Sequence, residues 1–227
     1  MNTTPTMRDW DAHYGGGRDF RPLTGTERSI LGEHLALPEG AQDAWALDVA
    51  CGTGELARFL AGFGYRVVAV DWARSAIERA AASPSQPPSA SPSPSPSDGI
   101  AYHRLDVTSG DIAALAPDGG YRLITMRRAL AHLPDRTRVV AALAALLAPE
   151  GVLCVITPHA DRHPAGLRAI CLDDTEIGLL REGWQRTERF EAGDCAVLLL
   201  RAPGPAPSRP PRAAGEQAQT QGGAPAG

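Results

Sequence analysis

The sequence is poor in the features that mark several protein classes. Lysine plus arginine total 22 against 26 acidic residues, a formal charge of −4, so nothing points to a chain built mainly to grip a nucleic-acid backbone. Only four cysteines occur, Cys51, Cys154, Cys171 and Cys195. Their wide spacing lacks the paired arrangement of a zinc site, which leaves reduced, partly buried thiols and no metal as the preferred reading. No charged leader followed by an apolar run opens the chain, and no apolar stretch reaches bilayer length, so a soluble cytoplasmic protein with no membrane segment is expected. No Gly-Lys-Ser or Gly-Lys-Thr follows the turn at Gly52 and Gly54, which excludes a P-loop. At 227 residues the chain is also short for a multidomain machine.

What is present is unevenly distributed. Of 20 prolines, many fall between Ser83 and Asp98, where serine and proline alternate; this stretch reads as a mobile insertion that cannot sustain a helix ladder. Residues 203–227 have a similar composition and are expected to form a disordered tail. A single domain over residues 1–202 follows.

Between these segments the apolar period changes repeatedly. Thr26 to Leu37 has helical spacing, Ala44 to Ala50 is a short strand, Glu55 to Ala61 a helix and Arg66 to Val70 a buried strand. Ala73 to Ala82 is a helix, Tyr102 to Leu105 a third strand and Gly110 to Leu115 a short helix. Tyr121 to Met126 makes a fourth strand, Arg136 to Leu147 a long helix rich in alanine and leucine, and Val152 to Ile156 a fifth strand. Alternating strands and helices predict a parallel sheet with right-handed crossovers and helices on both faces. The end differs. A helix from Asp173 to Glu182 precedes two strands, Trp184 to Phe190 and Cys195 to Arg201, joined across Glu191 to Asp194 as a hairpin, so one of seven strands should run antiparallel.

In such a sheet a ligand binds beyond the carboxyl ends of the strands, where their order reverses. The first crossover is Leu47-Asp-Val-Ala-Cys-Gly-Thr-Gly-Glu-Leu56. Gly52 and Gly54 permit close backbone approach, and Asp48 adds a carboxylate that favours a cationic ligand over a phosphate. Asp71 ends the second strand, where a carboxylate is placed to accept both hydroxyls of a ribose; capping the next helix is the plainer alternative. Trp72 beside it is suited to cover a purine ring or to pack at the surface, and Asp106 after the third strand to accept from an exocyclic amine. Gly52-Thr-Gly-Glu-Leu-Ala57 also satisfies a relaxed dinucleotide pattern, so an NAD-dependent oxidoreductase is the competing reading. Asp48 and the absence of room for a substrate domain argue against it.

These segments together resemble the class I methyltransferases that use S-adenosylmethionine. Leu47-Asp-Val-Ala-Cys-Gly-Thr-Gly54 looks like their first signature, and the likeness runs through Asp71, Leu105-Asp106-Val107, Leu123-Ile124 and Leu147-Ala-Pro-Glu-Gly151. It covers roughly residues 10 to 201. The resemblance implies a Rossmann-like α/β fold with a seven-stranded sheet in the order 3-2-1-4-5-7-6, strand 7 antiparallel. It implies that Asp48, Ala50, Cys51, Gly52 and Gly54 surround the methionine part of the cofactor. Asp71 and Trp72 would hold the ribose and cover the adenine, Asp106 and the Val107 amide would read the adenine, and Met126 and Arg127 would lie near the sulfonium. Trp10, Asp11 and Tyr14 resemble an amino-terminal Trp-Asp-x-x-Tyr element that closes over the site. Three residues depart from the pattern: Ala50 where glycine is usual, Arg128 where asparagine is frequent and Glu150 where glycine is common. The methyl of Ala50 predicts a turn that keeps negative φ there.

The activity implied is methyl transfer by in-line attack on the sulfonium. His132 and His159 are the candidate bases, each also readable as a structural residue, and the spacing of His159 and His163 is interrupted by Pro158 and Pro164. A small-molecule acceptor is expected, because Thr125 to Arg128 lacks the Asn/Asp-Pro-Pro-aromatic sequence of nucleic-acid amino-methyltransferases. Arg127, Arg128, Arg162 and Arg168 offer charge to an anionic acceptor. A monomer or homodimer, or a cofactor-binding partner protein without activity, completes the range of expectations.

Overall fold

The computed structural model describes residues 6–37, 44–83 and 99–201. The proline-rich insertion, apart from Ser83, and the tail lie outside the described residues. Seven strands form one sheet in the order β3-β2-β1-β4-β5-β7-β6. They are β1 (Trp45–Val49), β2 (Arg66–Asp71), β3 (Ile100–Arg104), β4 (Tyr121–Arg127), β5 (Leu147–Pro158), β6 (Arg186–Ala192) and β7 (Cys195–Arg201). The pairs β1–β2, β1–β4, β2–β3 and β4–β5 are parallel, whereas β7 runs antiparallel to both neighbours. The expected order and the single antiparallel strand are both observed.

The central strands β2, β4, β5 and β7 read as largely apolar runs because both faces of the sheet are covered there, whereas the edge strands β3 and β6 are polar and part-exposed. On one face Leu47, Val49, Ile124, Leu153, Val155, Leu198 and Leu200 pack with Val139 and Leu143 of α5 (Arg136–Ala144) and Ile177 of α6 (Asp174–Leu180). On the other, Ala46, Leu123, Cys154, Ile156, Val197 and Leu199 pack with Leu31 and Leu35 of α2 (Gly25–Leu35) and Leu56 and Leu60 of α3 (Glu55–Ala61). This alternation within a uniformly apolar strand is the two-residue period of an extended chain. Two further helices complete the layer, α1 (Met7–Gly15) and α4 (Arg74–Ala82). No helix of the described residues is long and apolar enough to cross a membrane.

The helix expected from Arg136 to Leu147 is shorter than its composition suggests. It stops at Ala144, and β5 begins at Leu147, which pairs with Tyr121. Pro149 cannot continue a helix ladder, and Glu150 takes φ of 62°, a turn conformation rather than a helical one. The element β1–β4 is where strand order reverses, so the carboxyl ends of β1, β2 and β4 open onto one crevice.

Candidate functional site

A cavity occupies that crevice. Its wall includes Asp48, Ala50, Cys51 and Gly52 from the first crossover, Asp71 and Trp72 after β2, Asp106 and Val107 after β3, and Arg127, Arg128 and His132 after β4. Trp10, Tyr14, Phe20 and Arg21 close the other side. Three carboxylates expected at successive strand tips therefore share one pocket.

Each acid is used differently. Asp48 is buried opposite Thr125 in the β1–β4 register, and the Thr125 hydroxyl donates to its Oδ1 at 2.8 Å. Its Oδ2 is buried without a hydrogen-bond partner. Burial pushes the carboxyl up to about 7, assisted by repulsion from Asp71 and opposed by the Thr125 hydrogen bond. A buried acceptor that the fold leaves unpaired costs free energy unless something arrives to satisfy it.

Asp71 is also buried. Its Oδ2 accepts the Gly52 amide and its Oδ1 the Ala73 amide, both at 2.9 Å. Burial raises this carboxyl, and the backbone donors, Ala73 first, pull it back. Each oxygen keeps acceptor capacity beyond these bonds. Asp71 thus pins the glycine turn and the residue that precedes α4 while lining the cavity; it does not cap α4, whose N-cap Ala73 has no side-chain cap bond. Asp106 bends its own loop: Oδ1 accepts the Thr108 amide and hydroxyl, and Oδ2 the Ser109 hydroxyl. Burial would raise its carboxyl, but these donors hold it below the usual value.

The turn between β1 and α3 makes two close approaches, at Gly52 and Gly54. Gly52 has φ of 53°, and a Cβ there would stand 2.8 Å from the Tyr14 hydroxyl. Tyr14 is brought in by α1, which docks on α4 where the Ser75 amide donates to Asp11 Oδ1 and the Ser75 hydroxyl donates to Asp11. Burial, with the Asp71 carboxylate nearby, raises the Tyr14 phenol. Burial likewise raises the Cys51 thiol, with Asp48 and Asp71 adding to it, which keeps Cys51 protonated.

Several expectations are corrected. Ala50 adopts φ of 57°, not the negative value expected, so its methyl is carried in the left-handed region. Gly54 forms the left-handed start of α3 against the Tyr102 hydroxyl and does not reach the cavity wall. Met126 is buried in the core beside Leu47 and Val49 instead of lining the pocket. Its strand parity is the reason: Thr125 faces Asp48, so Met126 faces the opposite side. His159 lies outside the cavity wall, with Nε2 3.0 Å from Asp174 Oδ1. That oxygen is also held by Arg189 at 2.6 Å. His159, Asp161 and Asp174 bring ligand atoms within 4.8 Å of one another, but Arg189 supplies the cation there.

The arginines proposed to greet an anion are largely committed to the chain's own acids. Arg127 donates Nε to Glu27 Oε1 and Nη2 to Glu27 Oε2, both at 3.0 Å, and also holds the carbonyls of Arg21 and Pro22. Arg128 makes a forked contact with Asp194, and Arg162 pairs with Glu191. Arg168 lies exposed on a 3-10 turn. His132 does line the cavity, next to Trp10 with ring centroids 5.8 Å apart. Its Nδ1 is buried and unpartnered, and burial followed by the Arg136 charge lowers its pKa, which favours neutral imidazole.

Sequence reading placed Trp10 and Tyr14 over the site but missed the rest of the second wall. Phe20 and Arg21 line it, and Glu27, Glu55 and Asp194 hold its backbone and side chains. Only the Thr24-x-x-Glu27 capping box was a legible signal, and it announces a helix start, not a wall.

Comparisons with known proteins bear on the fold and the family. A family model described as "Methyltransferase domain" matches residues 27–194. A protein of Xanthomonas campestris pv. campestris named ubiquinone biosynthesis O-methyltransferase is 32% identical over 208 residues, covering 85% of this chain and 79% of its own. Among solved structures, the N-methyltransferase NodS from Bradyrhizobium japonicum WM9, in complex with S-adenosyl-l-homocysteine, superposes with a TM-score of 0.57 at 21% identity, covering 79% of this chain and 89% of that one. An S-adenosylmethionine-dependent methyltransferase from Mesorhizobium loti gives 0.55 at 18% identity, covering 77% and 97%. The signature at Leu47–Gly54, the strand order and the family match converge: this chain belongs to the class I S-adenosylmethionine-dependent methyltransferases.

Proposed function

We propose that this methyltransferase transfers the methyl group of S-adenosylmethionine to a hydroxyl of a small molecule bound beside Trp10, Phe20 and His132. The observation that carries the assignment of the cofactor to the pocket is Asp48 Oδ2, a buried carboxylate oxygen without a partner. The α-ammonium of the cofactor supplies the missing donor and a charge that favours ionised Asp48. Asp71, with spare acceptor sites on both oxygens, takes the ribose hydroxyls, and the Gly52 turn, whose missing side chain leaves room for the Tyr14 hydroxyl, lies against the methionine portion. Trp72, Asp106 and Val107 flank the adenine. The nicotinamide alternative loses its ground with the family assignment.

The cofactor brings an activated methyl on a good leaving group, so this chain mainly holds the acceptor oxygen in line and excludes water. Held by Asp48 and Asp71, S-adenosylmethionine would supply the methyl group to the acceptor oxygen, its sulfur keeping the electron pair of the broken bond. The acceptor proton passes to His132, whose lowered pKa keeps the imidazole free to take it at neutral pH. Oxygen as the acceptor atom draws support from the 32% identical relative and its printed name. Because the described arginines of the pocket wall are paired with acids of the chain, an uncharged acceptor fits better than an anionic one.

The test is calorimetric titration with S-adenosylmethionine and with NAD, followed by labelled methyl transfer to fractionated small molecules and identification of the product by mass. Binding of S-adenosylmethionine and an oxygen-methylated product are expected. Binding of NAD alone, or retention of the cofactor without transfer to any fraction, would sink the proposal. His132→Ala should slow transfer by about 10² to 10⁴-fold and leave cofactor affinity unchanged.

A further inference from the structure

The outer wall of the pocket is held by two sets of contacts that differ in exposure. The carbonyls of Arg21 and Pro22 accept from Arg127, and the Leu23 amide donates to Glu55. Arg127 in turn is paired with Glu27, and their side chains are 11% and 0% exposed. That pair is a fixed anchor, because opening it would strand a buried carboxylate. The side chain of Arg21, by contrast, is 58% exposed, and it reaches Asp194 Oδ2 at 2.9 Å. Asp194 sits 173 residues further along, in the turn between β6 and β7.

Asp194 is shared. Arg128 Nη2 meets its Oδ1 at 2.5 Å and Arg128 Nη1 its Oδ2 at 3.2 Å, while His163 Nε2 stands 3.3 Å from the same Oδ2. One carboxylate therefore gathers groups from the wall, from the end of β4 and from the loop after β5. Arg128 carries φ of 55° and a buried Nε without a partner. Such costs persist only where surrounding contacts over-determine the conformation; here the Arg128 amide donates to the Ile156 carbonyl at 2.6 Å and its guanidinium forks onto Asp194.

We propose that Asp194 is a positioning residue: by holding Arg21 and Arg128 together it keeps the Phe20 and Arg21 side chains closed over the bound cofactor, and breaking the Arg21–Asp194 contact, with the Arg21–Leu23 backbone still held by Arg127 and Glu55, is the step that lets the ligand leave. The proposal rests on the cofactor reading of the pocket. It assigns the hairpin turn, far from the glycine-rich crossover in sequence, a part in residence time at the site. The exposed member of the network opens, and the buried Arg127–Glu27 pair stays closed as the hinge.

The experiment loads the full chain with labelled S-adenosylhomocysteine, chases with unlabelled compound and follows release. Wild-type protein that retains no label would overturn the cofactor reading and this inference with it. Given retention, Arg21→Gln should release about fivefold faster, the worth of one exposed ion pair. Asp194→Asn should release faster still, because it also frees Arg128. The double variant should release no faster than Asp194→Asn alone, since both changes open the same contact. A purely structural role would lower the thermal midpoint and leave release unchanged. Unchanged release in both single variants, or strictly additive effects, overturns the proposal. Should Asp194→Asn fail to fold, Arg21→Gln decides, because its exposed side chain can be replaced without disturbing the core.

Discussion

The two walls of the pocket use charge in opposite ways. At the strand tips, acids are held in place with acceptor capacity left over: Asp48 Oδ2 has no partner, and each oxygen of Asp71 takes a single backbone amide. On the outer wall, Arg127 is spent on Glu27 and two carbonyls, and Arg128 is spent on Asp194. The chain contains no lysine, so each of these contacts is made by a planar fork able to engage both carboxylate oxygens. Carboxylate oxygens with acceptor capacity to spare mark the side that binds, and arginine–carboxylate pairs mark the side that supports. Proximity to the cavity alone does not separate the two.

The largest expected effect breaks the comparison most directly. Arg127→Gln removes the partner of Glu27, which is fully buried, and should cost about 3–5 kcal/mol of stability. Chemical denaturation measures it. A loss below about 1 kcal/mol would mean that Arg127 is available to ligands after all, and that the support side has been misassigned.

Asp48→Asn tests the binding side. The replacement keeps the shape but removes the charge, so affinity for S-adenosylmethionine should fall by about 3 kcal/mol. The empty protein should respond in the opposite direction. Asp48 titrates near 7 when folded against an ordinary 3.8, so between those values the folded protein holds a proton the unfolded chain has released. Its contribution to stability is therefore greatest at low pH, declines as pH rises from about 4 to about 7, and is level above. Asp48→Asn should abolish that decline and leave the empty protein more stable than wild type at pH 8. A pH–stability curve that keeps the same slope in the variant would show the burial cost lies elsewhere. Cofactor affinity in the wild type should strengthen as pH rises through 7, because ionised Asp48 is the form that pairs with the ammonium.

Asp71→Ala should weaken cofactor binding by about 1–3 kcal/mol through loss of charge-assisted hydrogen bonds. It should also reduce stability, since the Gly52 and Ala73 amides lose their acceptor. A change in stability without a change in affinity would leave Asp71 as a turn anchor only. How visible each residue was in the sequence follows the same division. Asp48, Asp71 and Asp106 were legible because each ends a strand whose apolar run is plain, and the Cys195–Arg201 hairpin announced the antiparallel strand. Arg127 does line the cavity, but its offer to an anionic acceptor was misread because its partner Glu27 is 100 residues away, a distance no local pattern spans. Met126 was misread because being next to a site in sequence does not fix which face of a strand a side chain takes. The end of α5 was invisible because alanine and leucine favour a helix at every position up to Leu147, and only pairing of that residue with Tyr121 makes it a strand.

The smallest expected effects concern the three departures from the family pattern, and they sharpen the comparison within the backbone itself. Ala50, Arg128 and Glu150 are the non-glycine residues with positive φ among the described residues, at 57°, 55° and 62°. They stand where the methyltransferase signature has glycine, asparagine and glycine, the residues that enter this region at least cost. The chain has changed the side chains and kept the turns, so each position stores strain. Arg128 has an evident return in its contact with Asp194. Ala50 and Glu150 are exposed, and no hydrogen bond or ion pair accounts for either side chain. Glu150→Gly should therefore stabilise the protein by up to about 1 kcal/mol, the relief of left-handed strain less the entropy that glycine adds to the unfolded chain. Ala50→Gly should gain a similar amount in denaturation. Because Ala50 lines the cavity, it should differ from Glu150→Gly in one respect: with the turn less rigidly held, cofactor affinity should drop slightly, by less than about 0.5 kcal/mol. If Ala50→Gly instead destabilises the protein while Glu150→Gly stabilises it, the methyl of Ala50 makes a packing contribution that outweighs its strain, and the crossover belongs with the supporting wall as well as the binding one.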